Sequence, residues 1–311
     1  PKVSICIPAY SQTTYLDKCL ASVLMQDLDD YEIILTDDSP DNSVKDLVDS
    51  KYPGKIKYFK NPASLGTPEN WNEAIRKASG DYIKLLHHDD FFTQKNSLGK
   101  LVELLDKNPT ADFGFCATEV WNVPSGKKHI HSCSPKQLER IQRDPGFLFF
   151  RNMIGAPSAT IHRRNTTEVY DKNLKWLVDI DYYIRLIKLN SQVIMTHEPL
   201  ISTADNTAGQ VTQEVIQDSS LQLKEHLYVL NKIGLTAENK KRHTLFLEEL
   251  LLKYKVRDIE QLKKMCPVPV ELENFVAGVL KALRSPGTLK KLGDWFYASR
   301  FNNSIFKLEK Y

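Results

Sequence analysis

Along the first ninety residues the apolar positions change period again and again. "KVSICIP" is a short β-rich run closed by Pro8, the pattern of a buried strand. Past the polar "AYSQTT", Leu16, Cys19, Leu20, Val23 and Leu24 fall at i, i+3, i+4, i+7 and i+8, which predicts a helix with one buried face. "YEIIL" predicts a second strand, and the turn-rich "TDDSPDNS" after it can cap a following helix. "IKYF" predicts a third strand. Trp71, Ala74, Ile75 and Ala78 mark another helix, closed by Gly80, before "YIKLL" as a fourth strand. Strands alternating with helices predict an α/β chain with a mostly parallel sheet. In such sheets ligands bind beyond the carboxyl ends of the strands. "PAY", "TDD" and "HHDD" stand at three of those ends and are expected to converge.

The pattern changes further along. "RNMIGAPSATIHRR" carries turn signals at Gly155 and Pro157 before a short alternating run, which predicts a strand beside the site. "LKWLVDIDYYIRLIK" predicts a helix with Tyr183, Leu186 and Ile187 inward and Asp179 at its start. Asp181 and Arg185, at i and i+4, can pair on one face. From about Gln213 helical spacing dominates in "IQDSSLQLKEHLYVLNKIG", "LTAENKKRHTLFLEELLLKYK" and "VELENFVAGVLKALRS". The expected organisation is therefore an α/β domain over 1–212, halved at 95/96, and a helical extension over 213–311.

Composition narrows the reading. A chain of 311 residues, 41% of them hydrophobic, can bury a sizeable core. A net charge of +3 provides no basic footprint for nucleic acid. The five cysteines are odd in number and form no CxxC pair, so reduced thiols and a cytoplasmic setting are expected. No signal-peptide pattern opens the chain, and no apolar run reaches the roughly 20 residues that span a bilayer. In the tail, Lys290, Lys291, Arg300 and Lys307 alternate with Leu289, Leu292, Trp295, Phe296 and Phe306. That mixture suits either an interfacial membrane contact or packing on the helical extension.

The chemistry concentrates at "LHHDD". The first strand–helix turn has no GxGxxG, and the chain has no GxxxxGK[ST], so a bound diphosphate needs a cation to neutralise it. Carboxylates at Asp89 and Asp90 suit Mg²⁺ or Mn²⁺. A solvated loop capped by aspartates is the competing reading. "HIHSC" places His129, His131 and Cys133 on one side of a short strand. Zinc could use that spacing, and a half-exposed strand explains it equally well.

Taken together, "VSICIPAYSQTTYLDKCLASVLMQ", "YEIILTDDSPDNS", "NPASLGTPENWNEAIRKASGDYIKLLHHDD" and "WLVDIDYYIRL" resemble family 2 of the inverting glycosyltransferases, over roughly residues 1–212. The resemblance implies the GT-A nucleotide-sugar fold, with a nucleotide-sugar half over 1–95 and an acceptor half over 96–212 in which Pro157, Ser158, Asp181 and Arg185 stand on the acceptor side. It assigns Pro8, Ala9 and Tyr10 to the wall of the base pocket and Asp38 to the uracil-type imide. Asn72 matches the family's asparagine, whereas Trp71 stands near the place of an arginine and is read as packing. "LHHDD" occupies the family's Asp-x-Asp position, with Asp89 as the metal-chelating carboxylate, His87 in place of the first aspartate, and His88 between them. Asp179 matches the catalytic base of a Glu-Asp pair whose first member is Val178 here; capping of its helix is the structural alternative. Asn206 stands where a further histidine ligand is usual, so metal dependence is expected to be weak or optional.

The implied activity is inverting transfer from a UDP-sugar, or a dTDP-sugar, to a glycan or lipid-linked acceptor in bacterial surface polysaccharide or lipopolysaccharide synthesis. A nucleotidyltransferase and a catalytically inactive sugar-nucleotide or glycan-binding protein are the alternatives. The three departures at His87, Val178 and Asn206 keep the latter open.

Overall fold

The computed structural model describes residues 1–164, 168–205, 215 and 217–284. They divide into two compact units, Pro1–Leu148 with Met153–Ala208, and Phe149–Asn152 with the described part of 209–311. Among the described residues no helix is long and apolar enough to cross a membrane.

The first unit is built on a nine-stranded sheet in the order β3-β2-β1-β4-β8-β6-β9-β5, with β7 paired to β6. At its centre β1 (Val3–Ala9) is buried at every position. It is flanked in parallel register by β2 (Tyr31–Asp37) and β4 (Tyr82–Leu85). Strands covered on both faces read as continuous apolar runs, which is why "VSICIPA" and "YEIILTD" do not alternate. The third strand, β3 (Lys57–Lys60), closes this parallel edge against β2. Helices α1 (Thr13–Leu24) and α3 (Glu69–Arg76) follow β1 and β3, with α2 (Ser43–Lys51) after β2. Gly80 lies so close to β1 that a Cβ there would stand 2.7 Å from the Ser4 nitrogen. The chain between α3 and β4 can therefore pass only as glycine.

In the far half of the sheet antiparallel pairs join the parallel ones. There β8 (Thr160–Arg163) runs antiparallel to both β4 and β6 (Phe113–Asn122). The short β5 (Phe91–Phe92) runs antiparallel to β9 (Val193–Asp205), and β7 (Lys128–His131) returns antiparallel on β6. Only β6 and β9 pair in parallel, across a register shift at Cys116–Thr118. The sheet is mixed because these strands return without a crossover helix for each one. Helix α4 (Ser97–Asp106) follows β5, α5 (Pro135–Arg143) follows β7, and α6 (Val178–Leu189) precedes β9. On α6, Tyr183, Leu186 and Ile187 are buried as expected, and so is Tyr182.

The second unit contains helices Ser219–Ile233, Lys240–Lys253, Ile259–Met265 and Val270–Leu283. Asp218 and Asp258 cap the first and third of these by accepting from Leu221 and Gln261. Phe149, Phe150, His226, His243 and Phe246 make an aromatic cluster with largely edge-to-face contacts.

Candidate active site

The carboxyl end of β1 is where the three polar motifs meet. The Asp38 N–H donates to the Ala9 carbonyl at 3.0 Å, which fastens the end of β2 to that of β1. His88 Nδ1 lies 3.2 Å from the Pro8 carbonyl, which ties the turn after β4 to the same point. Pro8 and Ala9 are buried, whereas Tyr10 is 54% exposed at the mouth. Directly after it Ser11 and Gln12 both take left-handed backbone, at φ 52° and 49°. Ser11 is held there by its N–H donating to Ser39 Oγ at 2.7 Å. Two successive non-glycine residues in that region carry strain of the kind that collects at functional turns.

Asp38 is buried, and its carboxylate accepts from the N–H groups of Leu65 and Gly66, from Asn61 Nδ2 and from Ser64 Oγ. Its lone-pair positions are thus committed to the 61–66 loop. Any further hydrogen-bond donor must share Asp38 with that loop or displace part of it. Asn72, expected against the donor, is committed elsewhere. Its amide donates to the Tyr170 carbonyl at 2.8 Å and to Glu69 Oε2, and accepts from the Tyr170 N–H at 2.9 Å. It clamps a distant segment to α3. The two readings differ because the sequence does not reveal that Tyr170 lies opposite.

Beyond β4, His87, Asp89 and Asp90 each offer a ligand atom, all within 4.8 Å of one another. Asp90 is buried and accepts from the Ala204 N–H at 3.3 Å. Burial and the neighbouring Asp89 push its carboxyl well above the usual range, opposed by a hydrogen bond from Ser158. His87 donates its N–H to Ser158 Oγ at 2.9 Å, and its ring lies 4.5 Å from that of Trp71. Burial lowers the His87 imidazole to about 4, so it is neutral near pH 7. An imidazole and two carboxylates are a donor set that fits a divalent cation. Pro157 and Ser158, expected on the acceptor side, are buried, and Ser158 forms the floor of this cluster. His129, His131 and Cys133 are not gathered into a comparable group among the described residues. Cys133 lies beyond β7, buried, with its thiol directed to the Ser134 carbonyl.

Asp179 is the second residue of α6 and accepts from the Ile180 N–H at 2.8 Å. The Asp181–Arg185 pair forms as the spacing predicts, at 2.9 Å. Arg185 also pairs with Glu168 and donates to the Val169 carbonyl, so the pair anchors the segment that runs into Tyr170. Tyr170 in turn meets Trp71 edge-on at 5.1 Å. Tyr182 of α6 stacks on Tyr170 at 4.0 Å, so an aromatic path leads from α6 to His87. Asn206 and the basic aromatic tail lie outside the described residues.

The family pattern described as "Glycosyl transferase family 2" matches residues 4–168, more than half of the chain. The chain belongs to glycosyl transferase family 2. A relative from Campylobacter jejuni, GalNAc(5)-diNAcBac-PP-undecaprenol beta-1,3-glucosyltransferase, is 31% identical over 122 residues, 38% of this chain and 39% of the relative. This chain therefore spans about two fifths of that relative's length. Among solved structures, S. aureus TarS in complex with UDP-GlcNAc is 16% identical with a TM-score of 0.56, over 90% of this chain and 88% of that one. The mannosyltransferase PcManGT from Pyrobaculum calidifontis, in complex with GDP-Man and Mn²⁺, is 14% identical with a TM-score of 0.56, over 100% and 82%. At such identities the likeness concerns the fold, which is GT-A-like.

Within this family site one residue escaped the sequence reading. Lys84, quoted above only as part of a strand, is fully buried. Its ammonium donates to the carbonyls of Leu85 and Ser158, and burial lowers it to about 8. A lysine inside an apolar strand is the one signal that pointed to it.

Proposed function

We propose that this chain is an inverting glycosyltransferase that moves a sugar from a nucleoside-diphosphate donor, a UDP-sugar or else a dTDP-sugar, to a glycan or lipid-linked acceptor. Its setting in this proposal is bacterial surface polysaccharide synthesis, at the cytoplasmic face of the inner membrane. One observation carries the reading: the ends of β1 and β2 and the turn after β4 are hydrogen-bonded together, with a cation-fitting His87–Asp89–Asp90 group in that turn. The described residues provide no glycine-rich phosphate cradle there, so a diphosphate would depend on that group. Mg²⁺ or Mn²⁺ bound at Asp89 would act as a Lewis acid on the departing diphosphate.

The protein's own groups supply the rest. Pro8, Ala9 and Tyr10 wall the base, and Asp38 accepts the imide N–H as a donor of the 61–66 loop releases one of its lone pairs. Asp179, on α6, takes the proton of the acceptor hydroxyl as it attacks the anomeric carbon from the face opposite the diphosphate. A single displacement of this kind inverts the anomeric centre.

The test is a screen of nucleotide sugars for turnover, with Mn²⁺ present, on the intact chain and on Asp179→Asn. The intact chain is expected to release nucleoside diphosphate from one donor. Asp179→Asn should bind that donor equally well and lose ~10²-fold or more in turnover, the usual scale for a removed general base. Near-normal turnover by the folded variant moves the base elsewhere. Failure to turn over any donor, with binding retained, makes the chain a sugar-nucleotide-binding protein.

A further inference from the structure

We propose that Lys84 is a positioning residue for the donor: its buried ammonium, fixed under the turn after β4, supplies the positive charge by which the protein holds a nucleoside diphosphate more tightly than the bare nucleoside. This rests on the reading that the diphosphate lies at that turn, and adds which of the chain's own charges attracts it there.

Nothing in the stability of the sheet calls for this lysine. It stands opposite Ile5 of β1 in register, and no part of it reaches solvent. An ammonium withdrawn from water destabilises a fold unless a carboxylate pairs with it, and an apolar residue of like volume is often the more stable choice. Among the described residues no carboxylate pairs with Lys84. Its hydrogen bonds go to the carbonyls of Leu85, at 3.0 Å, and of Ser158, with the Phe92 ring 5.7 Å away. Carbonyls satisfy the N–H groups and leave the charge in place. Burial draws the group down to about 8, whereas Cys116, Asp90 and Cys19 favour its charged form, so it is mostly protonated at pH 7.

Its position ties that charge to the site. Ser158 accepts from Lys84 through its carbonyl, while its hydroxyl accepts from the His87 N–H at 2.9 Å and donates to Asp90. Lys84 is thus one residue removed from both ends of the turn. Asp89 and Asp90 present two carboxylates to an incoming diphosphate, and a cation behind them opposes that repulsion. Lys60, at the end of β3, is already held by Asp37 and by the Ser39 and Asp41 carbonyls. In surroundings without water a charge acts over a longer distance, and dissolved salt screens it far less.

The experiment is calorimetry on the full chain at pH 7, in one Mn²⁺-containing buffer. Uridine is compared with UDP, and thymidine with dTDP, on wild type, Lys84→Gln, Lys84→Met and Lys84→Arg. Lys84→Gln keeps a donor for the two carbonyls and removes the charge, and Lys84→Met removes both. In each neutral variant the preference for diphosphate over nucleoside is expected to fall by roughly tenfold, and Lys84→Arg to recover it. A merely structural loss weakens nucleoside and diphosphate alike. One readout needs only the folded wild type: its preference should change less than about threefold between about 0.05 and 0.5 M NaCl, because a buried charge is poorly screened. A preference intact in the neutral variants, equal weakening of nucleoside and diphosphate, or a wild-type preference that collapses with salt overturns this inference and leaves the donor site standing. Binding of neither UDP nor dTDP overturns both readings.

Discussion

Glu32, near the start of β2, shows how a single side chain can couple the fold to pH. It is buried, which opposes ionisation, yet Lys57, Ser4 and Ser79 all donate to it and hold its carboxyl down at about 2. The folded value lies below the ordinary 4.5. Its contribution is therefore fully present above about pH 4.5 and is lost as pH falls toward 2. Glu32→Gln should lower the urea midpoint at pH 7, and its deficit against wild type should shrink at pH 3. An equal deficit at both values means that packing, not charge, is what Glu32 contributes. None of this was legible in "YEIIL", where the glutamate reads only as a polar interruption. Its partners Ser4 and Ser79 lie 28 and 47 residues away.

At the scale of elements, the clamp between α3 and the chain before α6 decides how the start of α6 is carried. Asn72 exchanges two hydrogen bonds with the main chain of Tyr170, and the Arg185 contacts hold the residues just before it. Asn72→Ala leaves a buried N–H and a buried carbonyl without partners. Each such loss costs about 1–3 kcal/mol, so a total near 3 kcal/mol is expected as a lower urea midpoint. Nucleotide affinity, measured by calorimetry on the folded variant, should change little. Unchanged stability with weakened nucleotide binding would return Asn72 to the donor pocket, where the family resemblance alone had put it. The i, i+4 pairing of Asp181 with Arg185 and the inward face of α6 were both legible, because they depend only on helical spacing. The long strands β6 and β9 were not recognised. Their alternation is broken by Gly114, Pro199 and a register shift.

For the molecule as a whole, the described structure comprises a sheet unit and a helical unit, and the basic aromatic tail from Leu289 onward lies outside the described residues. Lipid-linked acceptors give that tail a purpose under the proposed function. Lys290, Lys291, Arg300 and Lys307 near an anionic surface contribute roughly 1 kcal/mol each, so together about three orders of magnitude in binding. Replacing all four with Glu should abolish co-sedimentation with anionic vesicles while the far-ultraviolet circular dichroism is unchanged. Pelleting that persists in the charge-reversed chain assigns the tail to packing within the protein.

What the sequence determined by itself was local in origin. Period-2 and period-3.6 runs produced β1, α1, β2, β3 and β4 and hence the strand ends, because hydrophobic spacing is read within a few residues. The convergence of "PAY", "TDD" and "HHDD" followed from that order, since parallel neighbours bring their carboxyl ends to one edge. Tertiary structure alone decided who partners whom. It gave Asp38 to the 61–66 loop, Asn72 to Tyr170 and Ser158 to His87 and Asp90, and it buried Lys84 beneath the cluster. Each of these pairings joins residues far apart in the chain. Each is enforced by the cost of leaving a buried polar group unpaired, which no local pattern of residues records.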